Sequence, residues 1–359
     1  MSNFQQTSPS EVLDFGPTQS NQRDVLLPEA ICFGSTSSGG IVASAMSKHA
    51  LLYAAQQPKL VRQKDIRSTH VQFYRPIFPA KGPVTMIVRE ISVGRAFSTL
   101  RVETFQGGMT KIAASSDILI TDLSNSGPSH STGWDLHPPP TPVTISKLAL
   151  EEDPNWASFH LAFNLRLPIR GFCYTKAYLP TVPPQHITYT ESWVTPGWNC
   201  PPAGSPDPGV PTPRWTNELI EFLADLNIPI EANFHPNSQD VTGSVLNTLS
   251  VAALQHQNRK EGKLEWRKVP LSALGLQTHA ESAIQATLSM TTEIKKRLPD
   301  EGVEWLYLRG ECKSIENGRM DSELVMFDEG MGIVAVSYQV VVLIPSVSKN
   351  ERKANIEML

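Results

Sequence analysis

No two of the four cysteines, Cys32, Cys173, Cys200 and Cys312, stand close enough in the chain to make a CxxC pair. That scatter argues against a structural zinc site and against a disulfide framework, and it leaves reduced thiols as the expectation. No apolar run approaches the ~20 residues a membrane helix needs. Charge of one sign is not in excess either. With a formal net charge of -4, nothing offers itself to a polyanion, and nucleic acid is not an expected partner. The first residues lack both a basic start and an apolar core, and the last are not Ser-Lys-Leu, so the cytoplasm is the expected compartment. A nucleophile elbow of the GxSxG kind is missing too, GSTSSGG being out of register, as are the P-loop lysine and GxGxxG.

What the 359 residues do carry is strand, and enough chain for two cores. Trp305 to Pro345 reads as three strands joined by two turns, the first at Asn317-Gly318, whose tolerance of positive φ suits a two-residue hairpin, and the second at Asp328-Glu329-Gly330. In the last strand Val334, Val336, Tyr338, Val340 and Val342 fall on one face, and Ala335, Ser337, Gln339, Val341 and Leu343 on the other. Two such apolar faces predict cover on both sides, and Gln339 then needs partners. An earlier stretch repeats the order: VTMIVREISV, a Gly94-Arg95 turn, AFSTLRVETFQ, a Gly107-Gly108 turn, then TKIAASSDILI. Gly-Arg recurs at Gly318-Arg319, and Gly108-Met109 at Gly330-Met331. A duplicated unit of one helix plus an antiparallel meander follows.

Each unit has its helix. From Gly40 onward Ile41, Ala45, Leu51 and Leu52 suit a long helix started by a Ser/Gly segment, and Ala43, Ser44 and Ala45 would let it lie close to a sheet. A Ser/Gly loop there can also cradle phosphate, but packing is the better reading. In the second half TNELIEFLADLNIPIE offers Thr216 as cap and Leu219, Ile220, Leu223 and Leu226 as an apolar stripe, ended by Pro229. Periodicity alone puts Glu218, Glu221 and Asp225 on a solvated polar face. Residues 1–24 read as disordered, 123–155 as a Pro/Ser-rich linker that can hardly be packed, 195–213 as a long proline-rich insertion, and 347–359 as a tail. The units are then 25–122 and 156–346.

The segments FGSTSSGG, HVQFYRP, FLADLNIP, QATLSM and IVAVSYQ, in that order, resemble the acyl-CoA thioesterase II family, and among its members the thioesterase-like proteins of fungi. The resemblance implies an α+β double hotdog fold, in which each half wraps an antiparallel sheet around one helix. It also implies a catalytic Asp, Thr and Gln in the second half, at Asp225, Thr287 and Gln339. Where the first half would need a Gln it has Asp117-Ile118, so one site per chain is implied. The segment between Asp225 and Thr287 is longer than in bacterial members, which leaves Ser289 and Thr291 as alternatives to Thr287.

Thioester hydrolysis needs a positioned water, a group to take its proton, and donors aimed at the oxyanion. On the resemblance Asp225 is the base, while the Thr287 hydroxyl and Gln339 amide hold the water or the carboxylate. Gly39, Gly40 and Ser289 are candidate substrate contacts at a helix start that favours negative charge. No metal and no cofactor is implied beyond coenzyme A as part of the substrate. The expected partners are an acyl-CoA or carrier-bound thioester and further copies of the chain, with a place in lipid or specialised metabolism. Two other readings stay open. Taken singly, Gln339 is a satisfied core amide and Thr287 an ordinary strand residue, as in a non-catalytic acyl-binding protein. A hotdog enzyme for another acyl-transforming step would be expected to show Asp-x-Asn-Pro-x-His, for which Phe234-His235-Pro236-Asn237 is a poor substitute.

Overall fold

A computed structural model describes residues 14–15, 21–29, 31–124, 127–160, 175–184, 187–197, 212–226, 230–235, 237–238, 241, 243–274 and 283–344. The first half contains β1 (Asp14–Phe15), β2 (Gln22–Leu26), the short pair β3 (Cys32–Phe33) and β4 (Thr36–Ser37), α1 (Gly39–Ala54), β5 (Asp65–Phe73), β6 (Val84–Val93), β7 (Ser98–Gln106) and β8 (Ile112–Thr121). After α2 (Ile145–Ala149) come β9 (Trp156–His160), β10 (Thr175–Pro180), β11 (Tyr189–Pro196), α3 (Ile220–Asp225), α4 (Val245–Lys260), β12 (Ile284–Ile294), β13 (Leu306–Glu311), β14 (Ile315–Glu316), β15 (Arg319–Phe327) and β16 (Ile333–Ile344).

One antiparallel sheet runs β1-β2-β6-β7-β8-β5-β12-β16-β15-β13-β11-β10-β9, with β14 beside β15. The meander β6-β7-β8 is followed by β5 in the same way that β15-β16 is followed by β12, and the two halves join where β5 pairs β12. The Asn317-Gly318 hairpin forms with both residues at positive φ, 51° and 73°, the geometry in which its backbone matches strand twist. At the second turn Asp328 accepts the Gly330 and Gly332 amides, and positive φ falls on Met331.

The core forms around α1. Ile41 to Ser47 are all buried, so this helix is wrapped nearly all round rather than laid on a surface by one stripe. It packs on β5, β6, β7 and β8 and also against α3. A second cluster, Trp156, Tyr178, Trp193, Trp305, Tyr307 and Phe327, lies on the outer side of β10, β11 and β13, with Leu136, Val143, Ile145 and Leu148 over it.

Several expectations are overturned. The segment assigned to disorder up to Asp24 includes β1 and part of β2, held because β2 pairs with β6 on one side and β1 on the other and buries Val25 between them. The linker is irregular but anchored: Arg309 donates to the Pro138 carbonyl, Thr141 donates to Glu191, and Glu191 is paired with the buried Arg309 and with the Tyr307 hydroxyl. The second half's counterpart of α1 is not one long helix but a 3-10 turn, Asn217–Leu219, followed by the six residues of α3, and the Thr216 hydroxyl caps nothing. The longer helix is α4, inside the added length before β12, and it lies on β9. In the middle of β16 only one face is covered. Tyr338 and Val340 are 44% and 42% exposed, because the helices sit on the Gln339 side. Cys173, Cys200, residues 198–211 of the proline-rich insertion and the tail lie outside the described residues.

Candidate active site

Asp225 is the last residue of α3 and meets the first turn of α1. Gly40 donates its amide to Oδ2 at 2.8 Å, and Ser38, in the capping position of α1, turns its hydroxyl away from its own helix to donate to the same oxygen at 2.9 Å. An internal carboxylate therefore fills the place where a helix start would bind an external anion. The carboxyl is partly buried. Desolvation raises its pKa, outweighing the Gly40 amide and the Ser38 and Thr287 hydroxyls, which act the other way. The result is a carboxylate held in place by its donors yet made more basic by its surroundings, as general-base work requires.

Gln339 approaches from the sheet. Its Nε2 donates to the Ala224 carbonyl at 2.9 Å, one residue before Asp225, and lies 3.6 Å from Met290 Sδ. Thr287 Oγ1 reaches Gln339 Oε1 at 3.4 Å and sits beside the Asp225 carboxylate. Its one proton can serve only one of those acceptors at a time. Asp225, Thr287 and Gln339, from a helix and two strands, thus meet at one place, and Asp225 does not face bulk solvent as periodicity alone would have it.

A bulge decides between Thr287 and its neighbours. Thr287 pairs with Val341 but Ser289 with Val340, so Leu288 is an extra residue. Without it Thr287, Ser289 and Thr291 would share a face. With it, Thr287 joins Met290 and Thr292 on the Gln339 side, and Ser289 and Thr291 point the other way. Thr291 there contacts His70 Nδ1 at 2.7 Å. Ser289, expected near substrate, is on the side away from Asp225. Gly40 makes its close approach to α3, but its amide is engaged by Asp225; Gly39 stands beside the carboxyl, where an added Cβ would lie 3.5 Å from both oxygens. In the first half Asp117 is committed to Arg101, at 2.7 and 2.6 Å.

The chain is matched over residues 142–343 by the acyl-CoA thioesterase C-terminal domain and over 27–118 by the acyl-CoA thioesterase N-terminal domain. It belongs to the acyl-CoA thioesterase family. As a member it is a thioester hydrolase. The thioesterase-like protein TwmA of Talaromyces wortmannii is 25% identical over 94% of this chain and 93% of its own length. Among solved structures, the hotdog-fold protein of Alicyclobacillus acidocaldarius superposes with a TM-score of 0.59 at 15% identity, over 93% of this chain and 97% of its own. The acyl-CoA thioesterase II of Mycobacterium marinum does so at 0.51 and 18%, over 94% and 99%. These likenesses establish the hotdog fold of the thioesterase chain.

Sequence reasoning did not single out Ser38 or the role of Glu221. Ser38 was visible only as part of a Ser/Gly run. Glu221, assigned above to the solvated face, is 4% exposed, because the polar side of α3 is covered by α1. It accepts from Ser47 at 3.1 Å. Burial pushes its pKa up to about 6, against the pull of the Thr69 and Ser47 hydroxyls. Since the folded state favours its neutral form, Glu221 contributes stability that is present below its ordinary 4.5 and lost as pH rises from there to about 6. That gap corresponds to roughly 2 kcal/mol. Glu221→Gln should therefore gain on wild type by about that amount between pH 4 and pH 7 in denaturant titrations. Parallel profiles for the two proteins would contradict it.

Proposed function

We propose that this thioesterase releases a free carboxylic acid from an acyl-CoA or a carrier-bound acyl thioester, with Asp225 as general base. Asp225 takes a proton from water as the water oxygen bonds to the thioester carbon, the carbon–sulfur bond then breaks, and the leaving thiolate takes that proton from Asp225, which restores the carboxylate. Gln339 has two amide hydrogens. One serves Ala224, and the other faces only the weak acceptor Met290 Sδ, so it is the donor available to the carbonyl oxygen as that oxygen becomes charged. Thr287 positions the water or the carboxylate. The convergence of these three side chains in a family member carries the proposal.

The finer organisation belongs to the same reading. The two halves, β1 to β8 and β9 to β16, are two hotdog units making a double hotdog, with one site per chain, acting in the cytoplasm in lipid or specialised, polyketide-type metabolism and without metal or cofactor. The exposed apolar residues Leu288 of β12 and Tyr338, Val340 and Ile344 of β16 support a homodimer or higher homo-oligomer. The test is thiol release, measured on a series of acyl-CoAs of increasing chain length and on the same acyl groups carried on a phosphopantetheinyl carrier protein. Steady release from some part of the series is expected. Silence across both series would sink the proposal in favour of a protein that only binds acyl groups.

A further inference from the structure

A cavity of about 650 Å³ opens beside the site, walled by Ala232, Phe234, Val241, Ala283 and Leu343, with Glu231 among them. Strand register fixes where it lies. Leu343 pairs with Gln285, and Val341 with Thr287, so the cavity wall continues the face that carries Gln339 and Thr287, and Gln285 stands two residues, roughly 7 Å, from Thr287 along β12. These five neighbours are apolar, and across from them Thr188, His235, Lys313 and Ser314 give the same cavity a polar side, so apolar surface and hydrogen-bonding groups face each other in it.

Glu231 is the buried acid of this lining. It begins a 3-10 turn, Glu231–Phe234, and is 8% exposed. One carboxyl oxygen accepts from Gln285 Nε2. The other, Oε1, has no hydrogen-bond partner among the described residues, although the Glu231 and Ala232 amides lie beside the carboxyl. A buried acceptor left open is costly and uncommon. A ligand that supplies a donor removes that cost, and one that cannot supply it leaves the cost in place.

We propose that this cavity receives the acyl chain and that Glu231, oriented by Gln285, selects acyl groups bearing a hydrogen-bond donor, such as a hydroxyl, a few bonds from the thioester carbon. The inference rests on the hydrolase reading for its position beside the reacting carbon. A site built around an open acceptor rejects the analogue lacking the donor more strongly than an apolar pocket rejects an extra methylene. A preference of roughly 10- to 100-fold is expected.

The experiment compares octanoyl-CoA with its mid-chain hydroxy counterparts in two ways: kcat/KM for thiol release, and Kd by calorimetry for the non-hydrolysable thioether analogues. Wild type should favour a hydroxy compound by that factor in both. Glu231→Leu should bring both ratios to about one, while Glu231→Gln, whose one carbonyl oxygen stays open to the ligand when the Gln285 amide turns to accept from the new NH2, should retain most of the preference. Equal treatment of the pair by wild type overturns the inference and leaves the hydrolase intact, as does an unchanged ratio in Glu231→Leu. Thioethers that bind with a Glu231-dependent preference while no thioester is cleaved would support the selecting site and remove the hydrolytic role. Should Glu231→Leu fail to fold, the wild-type ratio and its retention in Glu231→Gln decide.

Discussion

Asp225→Asn gives a folded protein whose thiol release from acyl-CoA falls on the order of 10³-fold, within the range that a positioned general base supplies. The asparagine carbonyl can still accept from the Gly40 amide and the Ser38 hydroxyl, which are 2.8 and 2.9 Å from the aspartate oxygen, so the join between α1 and α3 survives and the thermal midpoint stays close to wild type. What is lost is the capacity to take a proton from water. The pH profile carries the same signature. Because desolvation raises the pKa of Asp225 and only its ionised form is a base, the wild-type rate falls as pH drops through that raised pKa. The residual rate of the asparagine variant lacks that inflection. Turnover equal to wild type in a variant of unchanged stability would take the base role away from Asp225.

The parts of this molecule set by neighbours in sequence were open to reading, and the parts set by distant backbone were not. The Asn317-Gly318 hairpin follows from two residues that tolerate positive φ, and the small residues Ala43, Ser44 and Ala45 announced a helix that must be closely approached. The environment of Asp225 and Glu221 could not be read in that way. Both lie on the polar side of a short helix, and the cover over them comes from α1, supplied by residues more than a hundred positions earlier. Periodicity describes one element against a generic core and is silent about a second layer. The same limit applies to Thr287, since an alternating pattern carries no mark of the extra residue at Leu288 that turns it toward Gln339. That the three polar side chains belong together came from the order of short segments resembling a family, and spacing alone would have left each in its ordinary structural place. β2 was hidden for a simpler reason. It lies next to the sheet edge, with only the two residues of β1 beyond it, and its polar composition reads as unfolded chain until a partner such as β6 is seen beside it.

Gly40→Ala is expected to destabilise the protein by about 3 kcal/mol, at the upper end for overpacking, although alanine is the better helix former by about 1 kcal/mol. The reason is the fit of α1 against α3. A Cβ at position 40 would stand 2.6 Å from the Asp225 Cβ, 2.7 Å from the Glu221 carbonyl oxygen and 2.9 Å from the Phe222 Cα. Two of these are backbone atoms of a helix that cannot swing aside, and comfortable carbon contacts begin nearer ~3.5 Å. The two helices must therefore part, by something on the order of 1 Å, and the first contacts to stretch are those that the Gly40 amide and the Ser38 hydroxyl make to Asp225. A catalytic group displaced by about that distance loses roughly 10²-fold in rate, so the folded fraction should also be slow. Gly39→Ala is the matched control. Its Cβ would meet the tip of the Phe73 ring at 3.2 Å and the Asp225 oxygens at 3.5 Å, and a ring tip can yield, so the cost should stay under about 1 kcal/mol. Denaturant midpoints and thiol-release rates for the two variants, measured side by side, separate the cases. Equal effects at positions 39 and 40 would mean that close contact of α1 with α3 is not what holds Asp225 in place.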